Sequence, residues 1–422
     1  MLQVRLIHVM VAVEWGLLAL GLLGLFTSSV FLGMVVAGTR RFRREAARQD
    51  AALQSQPEFL PPVSIFKPLR GNETELEENL RTFFEQDYLQ HVALAGGAIE
   101  KDGVSKVEVL FCARSESDEG LAVARRVAAE YPAITTRILA SGEPWAANAK
   151  VCSLAEMAKA ATHDLWAISD SDVRVEPDYL RRIVLPFADE QVGCVTCLYR
   201  GVAVESGLWS ELEAVGMTIE MSSGVFAASL MEPMQFALGP TMVARRRCVA
   251  EVGGFEAMAE YCADDFVLGN WIARSGHRVV LAGHTIDHMV LHAGFVESMK
   301  HQVRWMKSTR FSRPKGHLGT CLTFGVPFGL MAWMGAFLLE MPVLGWCALL
   351  IGVLGRSLQA WVVGRAVVRK GHIGLAMILF PVRDMMGLLF WALSYGNNRI
   401  LWRGEVYELI EDGKMRRATR QA

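Results

Sequence analysis

Two patterns divide the chain: long apolar runs near its ends and a mixed, charged pattern between them. The first run, Trp15 to Gly38, contains no charged residue, and about 20 apolar residues suffice to cross the hydrocarbon core of a bilayer. Arg-Arg-Phe-Arg-Arg follows at residues 40–44, whereas a cleaved signal peptide carries its basic residues before a shorter core. We therefore predict a retained membrane anchor over residues 1–44, and the positive-inside rule places the residues after it in the cytosol.

Three further apolar runs lie in a predicted C-terminal membrane region over residues 316–422. Three full crossings after a cytosolic domain would leave the tail outside, yet the tail is basic, which favours the cytosol. The third run carries charges at its centre, and such charges are costly unless they pair or face a cavity. We expect this run to be broken at Pro381, to lie at the membrane surface or re-enter it without crossing, and to turn Arg383 and Asp384 toward the mouth of the functional site. The runs are Leu318 to Leu339, Met341 to Val363 and Ile373 to Tyr395.

Between residues 45 and 315, strand and helix patterns alternate. Short runs rich in β-branched and aromatic residues are followed by segments of helical spacing. This alternation predicts one cytosolic α/β domain with a mostly parallel sheet of the nucleotide-binding type. The run from Leu208 to Met234 is apolar and reads either as an amphipathic element or as a core helix. The first four predicted strands lie within Pro62 to Gly71, Val107 to Ala113, Ile134 to Ala140 and Asp164 to Ser169.

Composition narrows the class of protein. The 422 residues include 43 basic and 44 acidic ones, so the chain has almost no net charge that would attract nucleic acid. We therefore predict no nucleic-acid partner. Cytosolic cysteines stay reduced, and Cys194 and Cys197 stand in a strand-like run without a second pair, so we interpret them as buried thiols. His284, His288 and His292 recur every four residues, but the strand character of their segment argues against a shared metal.

An acidic pair follows the fourth predicted strand. Asp170 and Asp172 stand just after the run Asp164 to Ser169, and ligands of open α/β sheets bind at the carboxyl ends of strands. Side chains two apart on an extended segment point the same way, and Mg²⁺ or Mn²⁺ would remove their mutual repulsion. A solvated turn with a helix cap explains the pair equally well. Local sequence alone leaves both interpretations open.

Two later clusters add candidate chemistry. Asp264 and Asp265 open an apolar helical segment, and Arg304 and Trp305 stand side by side in HQVRWMKSTR, which begins at His301. The acids also suit a helix N-terminus, and Arg-Trp also suits an anchor in the headgroup zone of a membrane.

The order of these motifs, together with two long segments, resembles a known family. PVSIFKPLRGNETELEENLRTFFEQDY and FPVRDMMGLLFWALSYGNNRILWRG are similar to segments of ceramide glucosyltransferases and the related bacterial hopanoid-associated glycosyltransferases. The resemblance runs from about Pro62 to Gly404. It implies an α/β fold, namely an A-type glycosyltransferase nucleotide-binding domain with a mostly parallel sheet, flanked by N- and C-terminal transmembrane helices. It also implies an integral protein of the inner or cytoplasmic membrane whose catalytic domain faces the cytosol.

The activity implied by the resemblance is transfer of a sugar from a UDP-sugar to a lipid hydroxyl, with inversion and with Mg²⁺ or Mn²⁺. The implied acceptor is ceramide, which would give glucosylceramide. The alternative acceptor is a hopanoid, bacteriohopanetetrol, which would receive N-acetylglucosamine. A processive polysaccharide synthase and an inactive nucleotide-sugar-binding scaffold are the competing interpretations; the three short C-terminal runs argue against the first, and the intact acids against the second.

The resemblance also implies roles for individual residues. Asp170 and Asp172 match the metal-associated aspartates, with Asp170 also close to the nucleotide. Asp265 matches the general base that takes the proton of the acceptor hydroxyl. Asn148 and Lys150 match an Asn-x-Lys that precedes the aspartate strand and contacts the nucleotide.

Two matches to the family pattern are imperfect. His301, Arg304 and Trp305 fall on a Gln/Arg-x-x-Arg-Trp motif, in which Arg304 would stabilise the leaving diphosphate and Trp305 would line the sugar or lipid pocket. Histidine here replaces the first residue of that motif. After the second strand the relatives carry several aspartates, one of which helps to bind uridine, whereas this chain offers Asp118, with Glu116 as the substitute.

Overall fold

The computed structural model describes residues 2–56, 58–94, 105–205, 207–291, 294–368, 373–402 and 404–418. The chain forms two compact units, each assembled from three separate stretches. We call them the sheet unit and the apolar unit. The sheet unit comprises Phe42–Val204, Glu232–Leu291 and Arg399–Ala422, and the apolar unit comprises Met1–Arg41, Glu205–Met231 and His292–Asn398.

Strands of the described residues all belong to the sheet unit. They are β1 Val63–Pro68, β2 Val107–Ala113, β3 Thr135–Ala140, β4 Leu165–Ser169, β5 Val173–Arg174, β6 Val192–Ala203, β7 Thr241–Arg245, β8 Arg278–Val290, β9 Arg399–Trp402, β10 Glu405–Leu409 and β11 Met415–Arg417.

Helices occur in both units. They are α1 Leu2–Ser55, α2 Leu76–Phe84, α3 Tyr88–Leu94, α4 Glu119–Glu130, α5 Ala149–Ala160, α6 Tyr179–Val184, α7 Leu208–Val215, α8 Met221–Met231, α9 Arg246–Glu251, α10 Asp264–Arg274, α11 Phe295–Ser312, α12 Pro314–Thr320, α13 Val326–Leu338, α14 Pro342–Val367 and α15 Ile373–Leu393.

The main sheet has the order β3-β2-β1-β4-β7-β6-β8-β5. The first four strands are parallel to one another, as the alternation of strands and helices predicts, whereas β7 runs antiparallel to both β4 and β6. Because β1 pairs with β2 on one side and β4 on the other, the order of the strands reverses there. Such switch points form the ligand crevice of open α/β sheets.

Side-chain alternation places an apolar core on each face of the sheet. In β2, for example, Val109 and Phe111 belong to the core that packs against α2 and α4, while Leu110 and Cys112 belong to the core against α5 and α10. Successive residues of a strand point to opposite faces, so successive apolar residues of β2 fill both cores. Cys194 and Cys197 are buried free thiols of β6, as predicted.

The apolar unit contains the candidate membrane helices. Within the described residues, four helical segments are long and apolar enough to cross a membrane, and a fifth candidate is a pair of helices bent by 49°. The prediction that the third C-terminal run is broken at Pro381 is wrong, because α15 continues through that proline. The break lies instead at residues 324–325, between Pro314–Thr323 and Val326–Leu338.

Buried charges surround this break. Asp384 accepts hydrogen bonds from Gly325 N and Val326 N, both at 2.8 Å, and therefore caps the N-terminus of α13. Arg356 donates to Thr323 O at 2.6 Å and lies 3.6 Å from Asp384. Negative charge suits a helix N-terminus and positive charge a C-terminus, so the pair stabilises both ends of the bent segment. Arg383 pairs with Glu220 at 2.8 Å within the same unit.

The unit boundaries differ from the consecutive ranges 1–44, 45–315 and 316–422 expected for the domains. Packing explains why the run 205–231 groups with α1 and with the C-terminal helices: a Cβ on Gly38 of α1 would overlap the carbonyl of Phe226, and one on Gly216 would overlap the side chain of Arg383 of α15. The C-terminal strands, in contrast, belong to the sheet unit. Cys262 N donates to Gly413 O at 3.0 Å, and Met415 N donates to Glu260 O at 2.7 Å.

Candidate active site

The first acidic pair lies where β4 ends. Asp170 follows the last residue of β4, and Ser171 and Asp172 form a turn before the two-residue strand β5. The expected extended segment is therefore wrong, because a turn interrupts the alternation of side chains on which that argument rested. That the two carboxylates share one cation stays a prediction.

A buried lysine joins this pair to the second acidic cluster. Lys150, in the first turn of α5, donates to Asp170 Oδ1 at 2.7 Å and lies 3.6 Å from Asp264 Oδ2. Burial alone would lower the pKa of Lys150, but the carboxylates of Asp170 and Asp264 raise it above its ordinary value. The ammonium group therefore stays charged and holds the ends of β4 and α10 together.

A second buried lysine lies next to Asp170. Lys67 of β1 is fully buried; its ammonium donates to the backbone carbonyl of Asp170 and lies 3.8 Å from the centre of the Phe83 ring. Burial lowers the pKa of Lys67 to about 7, against the opposing pull of Asp170 and Asp172. Parallel pairing of β1 with β4 brings the two strand ends together and so creates this contact.

Asp172 has a different partner. His288 of β8 lies 3.2 Å from Asp172 Oδ2, and Met289 N donates to the Asp172 carbonyl at 2.8 Å. Although burial alone would raise the pKa of Asp172, His288 and Lys67 hold it below the ordinary value. The other oxygen, Oδ1, is buried and has no hydrogen-bond partner within the described residues.

Asp265 stands in the first turn of α10, and glycines make room for it. A Cβ on Gly239 would lie 3.0 Å from Asp265 Oδ2, and one on Gly269 of α10 would overlap the backbone nitrogen of Ala237. The two glycines therefore let α10 pack directly against the segment before β7. Burial, together with the neighbouring charge of Asp264, raises the pKa of Asp265 to about 6. A partly exposed carboxylate with this pKa is suited to proton transfer near neutral pH.

Two of the predicted nucleotide contacts have structural partners. Asn148 is fully buried; it caps α5 by accepting from Val151 N and donates to Tyr261 O at 2.9 Å. Asp118 caps α4 by accepting from Gly120 N at 2.8 Å and also accepts from Gly71 N at 2.9 Å. Asp118 thereby joins the segments after β1 and β2. The contacts of Asn148 and Asp118 explain the positions of both side chains without a ligand.

The Arg-Trp motif lies in the apolar unit, on α11. His301 Nδ1 is 2.6 Å from Glu213 Oε1 of α7, and the rings of His301 and Trp305 are 4.5 Å apart at their centres. Ser298 donates to the other oxygen of Glu213 at 2.5 Å. His301, Arg304 and Trp305 therefore share one helix, whereas the acids described above share the sheet unit.

Sequence reasoning missed three of these residues. Lys67 is a charged side chain within an otherwise apolar run, and that mismatch is the signal that would have found it. Glu213 is one of three glutamates in the run 208–231, so the sequence does not single it out. The sequence singles out His288 only by its four-residue spacing from His284 and His292. Its contact with Asp172 depends on the pairing of β5 with β8.

The main sheet, with acids at the carboxyl end of β4 and at the start of α10, has the A-type glycosyltransferase fold that the resemblance implied. The chain belongs to glycosyl transferase family 21, whose model matches residues 26–415. Ceramide glucosyltransferase 1 of Caenorhabditis elegans is 28% identical over 268 residues, which cover 62% of this chain and 51% of that protein. Ceramide glucosyltransferase of Komagataella phaffii is 31% identical over 132 residues, 30% of this chain and 23% of that protein. The chain thus aligns with about half the length, or less, of these curated relatives.

Solved structures show more distant likeness. The mannosyltransferase PcManGT of Pyrobaculum calidifontis, in complex with GDP-Man and Mn²⁺, has a TM-score of 0.49 at 18% identity over 89% of this chain and 97% of that one. Glucosyl-3-phosphoglycerate synthase of Mycobacterium tuberculosis, with Mn²⁺ and UDP-glucose, has a TM-score of 0.33 at 14% identity over 63% of this chain and 82% of that one. At these scores the likeness carries no argument about substrate or mechanism.

Proposed function

We propose that this protein transfers a sugar from a UDP-sugar to the hydroxyl of a membrane lipid, with inversion, and that ceramide is the lipid. The observation that carries the proposal is the buried cluster in which Lys150 joins Asp170 of the strand end to Asp264 beside Asp265. It holds candidate metal ligands and a candidate base in one crevice. The names of the curated relatives support ceramide as the acceptor.

The residues at the end of β4 fit a divalent cation. Asp170 and Asp172 offer hard oxygen ligands, which suit Mg²⁺ or Mn²⁺, and Asp172 Oδ1 is buried without a hydrogen-bond partner among the described residues. Glu73, Asp264 and Asp265 add further carboxylates around Lys67 and Lys150, so acids outnumber lysines in this network. A cation bound there would offset charge on the diphosphate leaving group.

Asp265 is the candidate general base. Its pKa of about 6 leaves it ionised at neutral pH yet basic enough to accept the proton of a lipid hydroxyl as the bond to the sugar forms. Lys150 acts through Asp170 and Asp264, which it holds in place, and is therefore a positioning residue in this proposal. The roles of Arg304 at the diphosphate and of Trp305 in the pocket rest on the motif alone.

Membrane topology follows from the parity of the crossings. The run 205–231 leaves the sheet unit and returns to it, so a single crossing there would place two parts of one unit on opposite sides. The run 292–398 is likewise preceded and followed by segments of the sheet unit, which requires an even number of crossings. We assign these to the bent segment that ends in α13 and to α14, and we expect α15 and the run 205–231 to lie at the membrane surface.

Packing within the apolar unit supports this assignment. A Cβ on Gly21 or Gly335 would overlap the backbone of Ala332 or Leu18, so α13 follows α1 closely in the opposite direction. Leu18 and Ala332 share an apolar cluster with Ala348 of α14. The sheet unit and the C-terminal tail would then both face the cytosol, because Arg40 to Arg44 follow the anchor.

Cysteine labelling tests the topology. In a chain whose Cys321 and Cys347 are replaced by serine, Glu340→Cys in the turn after α13 is expected to react with an impermeant maleimide added outside sealed vesicles. Ala418→Cys is expected to react only after permeabilisation. Labelling of Ala418→Cys from outside would contradict the assignment.

A product assay tests the activity. The full chain in nanodiscs is incubated with Mg²⁺ or Mn²⁺, ceramide or bacteriohopanetetrol, and a panel of UDP-sugars, and the lipids are analysed by mass spectrometry. We expect glycosylated ceramide that disappears with a chelator. UDP binding without any glycolipid product would refute transferase activity and favour a nucleotide-sugar-binding protein.

A further inference from the structure

Three side chains of different chemistry converge in the sheet unit, away from the acids described above. Cys248 and Glu251 of α9 and His277, just beyond α10, each offer one ligand atom, and these three atoms lie within 4.8 Å of one another. The closest contact joins His277 Nε2 to Glu251 Oε2 at 2.6 Å. Sulfur, imidazole nitrogen and carboxylate oxygen are the donors that proteins combine around a transition metal.

Local structure explains why the three side chains meet. Cys248 and Glu251 are three residues apart on α9, so they share one face of that helix. The chain turns sharply after α10: Gly276 has a φ of 97°, a left-handed value that favours glycine, and His277 N donates to Ile272 O at 3.2 Å. Ile272 and Cys248 belong to the same apolar core, and the turn therefore holds His277 beside α9.

A glycine of β6 leaves room for the sulfur and the imidazole. A Cβ on Gly193 would lie 2.7 Å from the Cβ of His277 and 3.1 Å from Cys248 Sγ, so a larger residue would have to displace one of these side chains. Cys248 is buried, whereas 21% of the His277 side chain and 47% of the Glu251 side chain are exposed. An ion therefore has a path from solvent, along Glu251, to the sulfur.

The neighbouring charges permit a cation at this place. Arg247 and Arg245 are the basic neighbours of Cys248. Arg247 pairs with Glu190 at 2.9 Å, and Arg245 donates to backbone carbonyls, so both have partners of their own. The Glu251 carboxylate and a Cys248 thiolate would together neutralise one divalent ion, which leaves no uncompensated charge behind.

The cluster lies at the opposite end of the strands from the candidate active site. β7 begins opposite Ser169, next to Asp170, and ends opposite Leu165, and α9 follows β7 directly. Helix α10 separates Asp265, in its first turn, from His277 beyond its end. Its 11 residues span about 16 Å. One ion therefore cannot serve both places.

We infer that Cys248, Glu251 and His277 form a site for a transition-metal ion of the Zn²⁺ class, in which a water completes the tetrahedron. Because the thiolate is the ligand, the thiol proton of Cys248 passes to solvent when the ion enters. The ion fastens the turn after α10 to α9 and so holds the far end of the helix that carries Asp265. The site needs neither donor nor acceptor, and the inference does not depend on the proposed transfer.

Cobalt spectroscopy tests the site without a measurement of activity. The full chain in nanodiscs is stripped of metal with a chelator, dialysed and titrated with Co²⁺ in excess Mg²⁺, which occupies carboxylate sites but competes poorly for sulfur. We expect a thiolate-to-cobalt charge-transfer band that saturates at equimolar Co²⁺. Zn²⁺ is expected to abolish the band by displacing the cobalt.

Three substitutions identify the ligands. Cys248→Ala is expected to abolish the band. Glu251→Gln and His277→Gln are each expected to raise the dissociation constant for Co²⁺ at least about tenfold, since loss of even an outer partner of a metal site costs that much. The matched control is Cys262→Ala, which removes another, part-exposed thiol of the sheet unit and should keep the wild-type band and affinity.

The two glutamine variants keep the test decisive if Cys248→Ala does not fold, because they change part-exposed side chains; circular dichroism checks the fold of each. Absence of the band in the wild type, or its persistence in folded Cys248→Ala, would overturn the inference. Wild-type affinity for Co²⁺ in both glutamine variants would do the same.

Hydrogen exchange measures the effect of the ion on α10. The amides of residues 275–277 donate to carbonyls of the last turn of α10, so Zn²⁺ is expected to slow their exchange in the wild type and not in His277→Gln. Exchange that Zn²⁺ leaves unchanged in the wild type would refute the fastening of α10.

Discussion

The ammonium nitrogen of Lys150 lies 2.7 Å from Asp170 Oδ1, and both groups are held at the carboxyl end of the parallel strands. The side chain of Lys150 is 8% exposed and that of Asp170 is 30% exposed. Loss of the pair would therefore leave the lysine as a buried charge without this counter-ion. The same ammonium reaches Asp264 beside the candidate base. Substitution of Lys150 should therefore affect both the candidate metal ligands and the candidate base.

Replacement of Lys150 by methionine keeps the length of the side chain and removes its charge. We expect the free energy of unfolding to fall by about 3 kcal/mol, the usual cost of breaking a buried pair, together with slower but measurable transfer. Thermal unfolding and product formation measure the two effects. Lys159→Met on the same helix removes an exposed lysine paired with Glu156 and should change stability by less than about 0.5 kcal/mol. Equal effects of both substitutions would contradict the role given to Lys150.

Asp265→Asn removes the candidate base with little change of shape. We expect turnover to fall by about 10²- to 10⁴-fold, while the dissociation constant for UDP stays within a factor of about 2 because no base is needed for binding. Rapid-quench kinetics and calorimetry measure the two quantities. Glu256→Gln, an exposed acid a few residues earlier, is the control. Substantial turnover by Asp265→Asn would show that another residue is the general base.

The pH dependence of transfer follows from the raised pKa of Asp265. Protonation below about pH 6 removes the base, so kcat/KM is expected to rise with pH through this value and to fall about tenfold per unit below it. Lys150 lowers the pKa of Asp265, so Lys150→Met should shift the acid limb to higher pH. A limb that does not move in this variant would argue that another group titrates.

Metal dependence gives a separate test of the strand-end acids. Asp172→Asn removes one candidate ligand, and we expect the Mg²⁺ or Mn²⁺ concentration for half-maximal activity to rise at least about tenfold, because fewer charged oxygens hold the ion. Titration of the chelator-treated enzyme measures this shift. Asp178→Asn, an acid paired with Arg182 in the following turn, is the control. An unchanged metal requirement in Asp172→Asn would exclude this carboxylate as a ligand.

The cap on α13 predicts an effect on stability. Asp384→Asn removes the charge that faces Gly325 N, Val326 N and Arg356, and we expect the unfolding free energy to fall by about 3 kcal/mol. Thermal unfolding in detergent measures it. Glu340→Gln lies in the exposed turn after α13 and should be neutral. If Asp384→Asn is as stable as the wild type, the bent segment does not depend on this pair.

Much of the fold could be predicted because it is local. Strand and helix periodicity located β1, β2, β3 and β4 and their alternation with helices, and the family order of motifs predicted the A-type fold. Prediction failed where a local rule was overridden. Pro381 is tolerated within α15, whereas the break falls at residues 324–325, where Asp384 and Arg356 from other helices stabilise both free ends.

The candidate site likewise contains residues that the sequence indicates and contacts that it does not. Sequence pattern drew attention to Asp170, Asp172 and Asp265, because each follows or opens a regular element, and their roles stay predictions that rest on the family resemblance. The pattern did not reveal that Lys67 and His288 are the neighbours of the first two, since those contacts depend on which strands lie side by side. The contact of Glu213 with His301 could not be predicted for the same reason, because the two residues lie on different helices.

The sequence by itself therefore determined most of the elements, the apolar runs and the candidate residues for acid, base and metal chemistry, since these depend on side chains close together along the chain. Only the tertiary structure decided which of these side chains meet. Packing of α5 and α10 into one core on the same face of the sheet brings Lys150 to Asp170 and Asp264, and packing of α7 with α11 brings Glu213 to His301. Such pairings set charge, tautomer and pKa, because the electrostatic energy of a buried group depends on its neighbours in space.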